Sequence, residues 1–209
     1  MLVKPFDYSR RVSLDLLCAE MGKCDKCRLS PSRCKNNMVV MPNGSTRANI
    51  MLVGEAPGKN EDECGDPFVG LCGQLLTKLL EEVGVERKNL FITNVVKCRP
   101  FDNNRNRQPD WEIEVDTCKT WLAKEIRELN PKVVVALGKV PTRLLTLQDD
   151  FKFQMRDFFK VNVVHYEAWK KDMKIVAAWH PSYLLRKGEK EREEFKECLK
   201  LAMKEIGNV

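Results

Sequence analysis

Four short apolar runs, at residues 50–53, 90–95, 133–137 and 175–178, are each bounded by Gly, Pro or Asn and separated by stretches of helical period. Runs of that length between turn-forming residues read as buried strands. Between them, Leu75, Leu76, Leu79, Leu80 and Val83 form a stripe at helical spacing, stopped by Gly84. Residues 111–129 make a second amphipathic run closed by Asn130-Pro131, and 140–147 a shorter one. Residues 189–206 set Phe195, Leu199, Ala202, Met203 and Ile206 on one face. Strands that alternate with helices predict an α/β fold whose parallel sheet is covered on both sides. A further strand or hairpin is expected around 161–165. The first forty residues read as a helix and an irregular cysteine-bearing segment packed on this core. No linker or repeat divides the 209 residues, so one domain is expected, with 1–45 as the N-terminal segment and 46–209 as the α/β core.

Open α/β sheets bind their ligands outside the carboxyl ends of the strands. The first strand empties into Gly54-Glu55-Ala56-Pro57-Gly58, followed by Glu61 and Asp66-Pro67-Phe68-Val69-Gly70. Glycines and prolines there fix turns around two carboxylates and an aromatic ring. The second strand ends in Thr93-Asn94, and an Asn amide offers both donors and an acceptor to a flat heterocycle. The fourth ends in His180-Pro181-Ser182, where a neutral imidazole donor can stabilise charge on a leaving oxygen. His165 reads as structural. The first loop lacks the spacing of either common phosphate-binding glycine motif. Arg99, Arg105, Arg107, Arg186 and Lys187 lie in loops near these strand ends, as phosphate contacts would.

A net charge of +6 and a pI near 8.8 favour an anionic partner. No apolar run approaches a membrane span, and residues 1–10 lack the apolar core of a signal peptide, so a cytoplasmic protein is expected. Nine cysteines in such a chain point to metal rather than disulfides. Cys24 and Cys27 form a C-x-x-C, and Cys98 and Cys118 are the most plausible completing pair. Cys34 is an alternative fourth ligand. Four thiolates suit either zinc or an iron–sulfur cluster. Otherwise Cys34, with Cys18, Cys64, Cys72 and Cys198, is expected to be a buried free thiol.

Taken in order, Gly54-Glu55-Ala56-Pro57-Gly58…Asp66-Pro67-Phe68-Val69-Gly70, Thr93-Asn94-Val95-Val96-Lys97-Cys98-Arg99-Pro100 and His180-Pro181-Ser182-Tyr183-Leu184-Leu185-Arg186 resemble the motifs of the family 4, iron–sulfur uracil-DNA glycosylases. The resemblance runs from Cys24 to about Arg186. It implies a three-layer α/β/α fold around a four-stranded parallel sheet, and a monomer acting on uracil-containing DNA, single- or double-stranded. It also implies a [4Fe-4S] cluster on Cys24, Cys27, Cys98 and Cys118, zinc being the alternative, in the N-terminal segment and the loop that meets it. In that frame Phe68 stacks on the flipped uracil, Asn94 reads its polar edge and Glu61 crowds the thymine methyl. His180 stabilises the departing base and Glu55 serves the water side. Ala56 stands where better-known relatives carry their water-activating carboxylate. Ser182 completes the pocket, Leu184 and its neighbours wedge into the duplex, and Arg186 grips phosphate. The loop from Cys98 to Cys118 is longer than usual and lacks the histidine of a covalently trapping branch, which implies turnover. Two alternatives are a shifted preference for hypoxanthine or xanthine and a non-catalytic uracil-DNA binding module.

Overall fold

The computed structural model of the chain describes residues 14–31, 38–102, 105–148, 152–166 and 171–207. In chain order the strands are β1 (Asn43–Gly44), β2 (Ile50–Gly54), β3 (Phe91–Asn94), β4 (Phe101–Asp102), β5 (Arg105–Asn106), β6 (Val133–Leu137), β7 (Val161–Tyr166) and β8 (Lys171–Ala178). The helices are α1 (Leu14–Met21), α2 (Lys59–Cys64), α3 (Leu71–Glu82), α4 (Asp116–Leu129), α5 (Lys139–Leu145), α6 (Pro181–Leu184) and α7 (Glu189–Lys204).

One sheet runs β1-β3-β2-β6-β8-β7. Its four central strands are parallel, in the order β3-β2-β6-β8, as the alternation of strands and helices predicts. Two antiparallel edge strands extend it to six. The two-residue β1 pairs with β3, and β7 forms the expected hairpin with β8. The four-stranded expectation therefore describes the parallel core, and the edge the sequence misses is β1, because a two-residue strand leaves no periodic signal.

Every residue of β2 and β6 is buried, and the two faces of each strand serve different cores. Ile50 and Leu52 join Val133, Val135 and Leu137 under α3 and α7, where Leu76, Leu79, Phe195 and Leu199 pack. Met51 and Val53 join Val134 and Ala136 under α1 and α4, against Leu17, Met21, Trp121 and Ile126. Burying each of the Val, Leu, Ile, Met and Phe side chains stabilises the fold by about 1.5–3 kcal/mol, and the alternation with period two builds three layers.

The chain steps from β2 outward to β3, then crosses back to β6. The order of parallel strands thus reverses between β2 and β6, which opens a crevice at their carboxyl ends. The predicted helix over 111–129 starts with a wide turn at Trp111–Val115, capped by Asp110 Oδ1 accepting from Ile113 N at 2.9 Å, before α4 begins at Asp116. The long Cys98–Cys118 loop holds the β4–β5 hairpin. Among the described residues all eight cysteines are free; Cys198 is buried, Cys18 and Cys72 are half-buried, and Cys64 is exposed rather than buried. Cys34 lies outside the described residues. Among them no helix is long and apolar enough to cross a membrane.

Candidate active site

Gly54 ends β2 beside Asn94, the last residue of β3, to which it is paired in register. A Cβ on Gly54 would lie 2.3 Å from Asn94 Oδ1 and 2.5 Å from Phe68 Cζ, so only a glycine lets the amide and the ring close over the strand end. Asn94 is 4% exposed, and its Oδ1 is a buried acceptor with no hydrogen-bond partner among the described residues. A buried acceptor left open costs free energy unless something arrives to satisfy it. Phe68 lies beside it in the left-handed region at φ +55°, a conformation that costs a bulky residue roughly 1–2 kcal/mol.

What holds Phe68 there is Glu61. Its Oε1 accepts from the backbone N–H groups of Val69 (3.0 Å) and Gly70 (2.8 Å), and its Oε2 from Gly58 N (3.1 Å). The carboxylate therefore staples both halves of the loop. Gly73 of α3 completes the seat, since a Cβ there would sit 1.7 Å from the Phe68 carbonyl oxygen. Beside this staple, Asn106 of β5 accepts at Oδ1 from Arg99 Nε at 2.7 Å, and its Nδ2 lies 3.7 Å from where a Gly58 Cβ would be.

His180 faces Phe68 with ring centroids 5.9 Å apart and caps α6. The Ser182 backbone N–H donates to His180 Nδ1 at 3.1 Å, and the Ser182 hydroxyl lies 2.8 Å from the same nitrogen. A backbone N–H can only donate, so Nδ1 is the acceptor and the ring proton sits on Nε2. Burial, reinforced by the nearby Arg186 charge and only partly offset by Glu61, pushes the His180 pKa down to about 4. The ring is neutral at physiological pH and offers one fixed donor. Gly138, at φ +93°, makes room for it; a Cβ there would sit 2.9 Å from His180 Cβ. Across the crevice, burial alone raises the Glu55 carboxyl pKa. Ala56 packs against the core on the α4 side.

The loop cations divide. Arg186 and Lys187 are exposed. Arg99 is buried on Asn106, and Arg107 forks onto the buried Glu114, with Nη1 donating to Oε2 at 2.8 Å. Neither is placed to grip phosphate as the sequence reading expects; the side chain of Arg105 lies outside the described residues. Leu184 is also a correction. It is 0% exposed, packed in the core beneath α3 and α7, and so is no wedge, whereas its neighbour Leu185 is 44% exposed. On a helical turn adjacent residues point in different directions, and only the tertiary packing chooses which one faces out.

Cys24, Cys27, Cys98 and Cys118 line one cavity together with Val39, Val96 and Trp121. Two N–H groups already point at sulfurs: Lys97 N at Cys118 Sγ (3.3 Å) and Trp121 Nε1 at Cys24 Sγ (3.4 Å). Burial raises the pKa of Cys27, Cys98 and Cys118, the last to about 12, and neighbouring thiols in the set add to it. Apolar walls, converging sulfurs and N–H···S donors fit a thiolate-held metal group. Among the described residues no three His, Cys, Asp or Glu side chains are grouped to hold a single metal ion.

Sequence reasoning missed Lys97. It is 2% exposed, and its Nζ donates to Glu125 Oε2 (2.7 Å), Thr93 Oγ1 (2.6 Å) and the Asn94 carbonyl (2.6 Å). A signal existed: Glu125 shares the inward face of α4 with Cys118, Trp121, Leu122, Ile126 and Leu129, and a carboxylate there demands a buried cation.

Residues 41–202 match the family model described as the uracil DNA glycosylase superfamily. A type-4 uracil-DNA glycosylase of Archaeoglobus fulgidus is 38% identical over 188 residues, covering 90% of this chain and 90% of its own. One from Thermotoga maritima is 38% identical over 179 residues, 86% of each chain. One from Pyrobaculum aerophilum reaches 48% over 122 residues, 58% of this chain and 59% of its own.

Proposed function

The chain belongs to the uracil DNA glycosylase superfamily, and from that premise we propose that it hydrolyses the N-glycosidic bond of deoxyuridine in DNA, releasing uracil and leaving an abasic site. The observation that carries the reading is the unsatisfied Asn94 Oδ1 beside the Phe68 ring. Uracil presents an imide N–H flanked by carbonyl oxygens; Asn94 accepts from the N–H and donates to a carbonyl. Cytosine presents the opposite pattern and leaves the buried amide mispaired, which is the stronger form of rejection. The base reaches the pocket by leaving the stack, at least cost when it is mispaired. Phe68 then stacks on its face.

As the bond between sugar and base breaks, the electron pair departs with uracil, which leaves as an anion. The neutral His180 donates its Nε2 proton in a hydrogen bond to the base oxygen on which that charge collects, without transferring it. Glu55, ionised and poorly solvated, stabilises the cationic sugar and takes a proton from the water that attacks it. Glu61 acts by holding Phe68 through the loop, and Ser182 by fixing the His180 tautomer. Leu185, rather than Leu184, fills the gap left by the flipped nucleotide, with Arg186 and Lys187 on the flanking phosphates.

Cys24, Cys27, Cys98 and Cys118 would hold a [4Fe-4S] cluster, supplying iron–thiolate bonds that tie the N-terminal segment to the β3 exit loop and α4. A reducing, cytoplasmic compartment suits such thiols. Residues 1–209 are read as one functional unit acting as a monomer. Anaerobically purified protein should be brown, with iron and sulfide in equal amounts; a colourless, zinc-loaded preparation would remove the cluster.

The test of function is base release from DNA carrying uracil, hypoxanthine, xanthine or thymine, each single-stranded and paired. Alkali-labile sites in uracil-DNA and none with thymine support the reading. Preferential release of hypoxanthine or xanthine would shift the specificity, and tight binding without release would make the protein a binding module. Full activity in both Asn94→Ala and His180→Ala would end the site assignment.

A further inference from the structure

We propose that Lys97 is a positioning residue for uracil recognition, its buried ammonium fixing the strand end from which Asn94 reads the base. The proposal rests on the glycosylase reading. Lys97 lies three residues past Asn94, and its side chain folds back to donate to the Asn94 carbonyl and the Thr93 hydroxyl, both at 2.6 Å. Glu125 of α4 holds the third donor at 2.7 Å and also accepts from Thr93 Oγ1 at 3.3 Å. The backbone of Lys97 is pinned separately, by its N–H on Cys118 Sγ. One residue thus locks the end of β3 to α4 directly behind the amide, while the amide itself keeps an open acceptor toward the pocket.

Energetics favour function over stability as the reason for this pair. Both side chains are almost wholly buried, at 2% and 0% exposed. Such pairs commonly contribute little net stability, because their attraction offsets a large desolvation cost, and well-packed apolar replacements of both partners are often neutral or stabilising. Breaking one partner alone is costly. What an apolar pair cannot reproduce is three directed hydrogen bonds to Thr93, Asn94 and Glu125, which set the amide to within the fraction of an ångström that recognition needs.

The experiment compares the full-length protein with K97M, K97M/E125L and E125Q. Five quantities are read: thermal midpoint, inhibition by free uracil, affinity for abasic-site DNA, and kcat and KM on uracil-DNA. For K97M/E125L we expect a thermal midpoint above that of K97M, yet below the parent's because Thr93 and Asn94 lose a buried partner, and unchanged abasic-DNA affinity. Free uracil should inhibit it about tenfold more weakly, the loss of roughly one hydrogen bond's worth of binding. K97M should lose both stability and uracil affinity. E125Q should lose stability yet keep its uracil inhibition, because Lys97 still reaches Thr93 and Asn94. Uracil inhibition of K97M/E125L equal to the parent's would overturn the proposal, as would loss of uracil and abasic-DNA affinity in parallel. If K97M/E125L does not fold, E125Q decides: retained uracil inhibition supports the role, and loss equal to that of K97M refutes it. A parent protein that releases no uracil defeats the glycosylase reading itself, a result distinct from all of these.

Discussion

Side chains at the strand ends divide by what their neighbours leave them free to do. Asn94 keeps an open acceptor, His180 keeps one donor, and Glu55 keeps its charge only above a raised pKa. That last fact sets a pH dependence. In the role proposed for it Glu55 acts ionised, so kcat/KM should fall as pH is lowered through a value above the ordinary 4.5, while His180 stays neutral until about 4. A pH–rate profile checks this, and the Glu55→Gln protein should be slow and lack that acid limb. In the fold itself the depressed His180 pKa works the same way. Below its ordinary 6.5 the unfolded chain binds the proton more readily, so stability declines as pH drops from there toward 4. Leu184 and Leu185 make a second residue-scale test. Leu184→Ala should cost about 2–5 kcal/mol by denaturant unfolding. Leu185→Ala should leave stability within about 0.5 kcal/mol and slow uracil release from paired DNA more than from single strands. The motif was legible in sequence, but which leucine projects was not, because burial depends on α3 and α7 packing from elsewhere in the chain.

Among the elements, the loop between β2 and α3 does most to build the pocket, and Glu61 is its staple. Three backbone N–H groups converge on one carboxylate, and hydrogen bonds to a charged acceptor are the strong kind. Glu61→Ala should therefore destabilise the protein by about 3 kcal/mol and raise KM as Phe68 leaves its left-handed seat, measured by thermal unfolding and steady-state kinetics. The helical stripes over 75–83 and 189–206 were readable because their apolar period meets one core. The β1 edge of the sheet, the β4–β5 hairpin and the wide turn before α4 were not. Strand β1 is set by pairing with the distant backbone of β3, the β4–β5 hairpin is only two residues to a strand, and the turn rests on Glu114, which ties Arg28 and Arg107 together. The Glu61 staple was equally hidden: its acceptors are used three and eight to nine residues away, through a turn that has no sequence period.

The whole molecule is held at two places, the three-layer core and the cysteine cavity, and these should fail separately. If the proposed cluster is bound, Cys118→Ser should lower the thermal midpoint by roughly 5–10 °C and bleach the visible absorbance. Limited proteolysis of that variant should cut first within residues 14–31, the segment that the cavity joins to α4. The C-x-x-C and the later pair were visible as spacing, yet their convergence required the long loop to fold back beside Trp121. The sequence by itself determined the α/β class and the parallel core, since strand and helix periods and turn-forming residues are local properties, and it marked the strand-end motifs and four of the cysteines as candidates. Only the tertiary structure decided that the strand order reverses between β2 and β6, that Leu185 and not Leu184 faces out, that Glu61 is spent on the loop, and that a buried lysine stands behind Asn94. Each of those depends on which distant surfaces meet, and hydrogen bonds and burial across such contacts leave no imprint on local spacing.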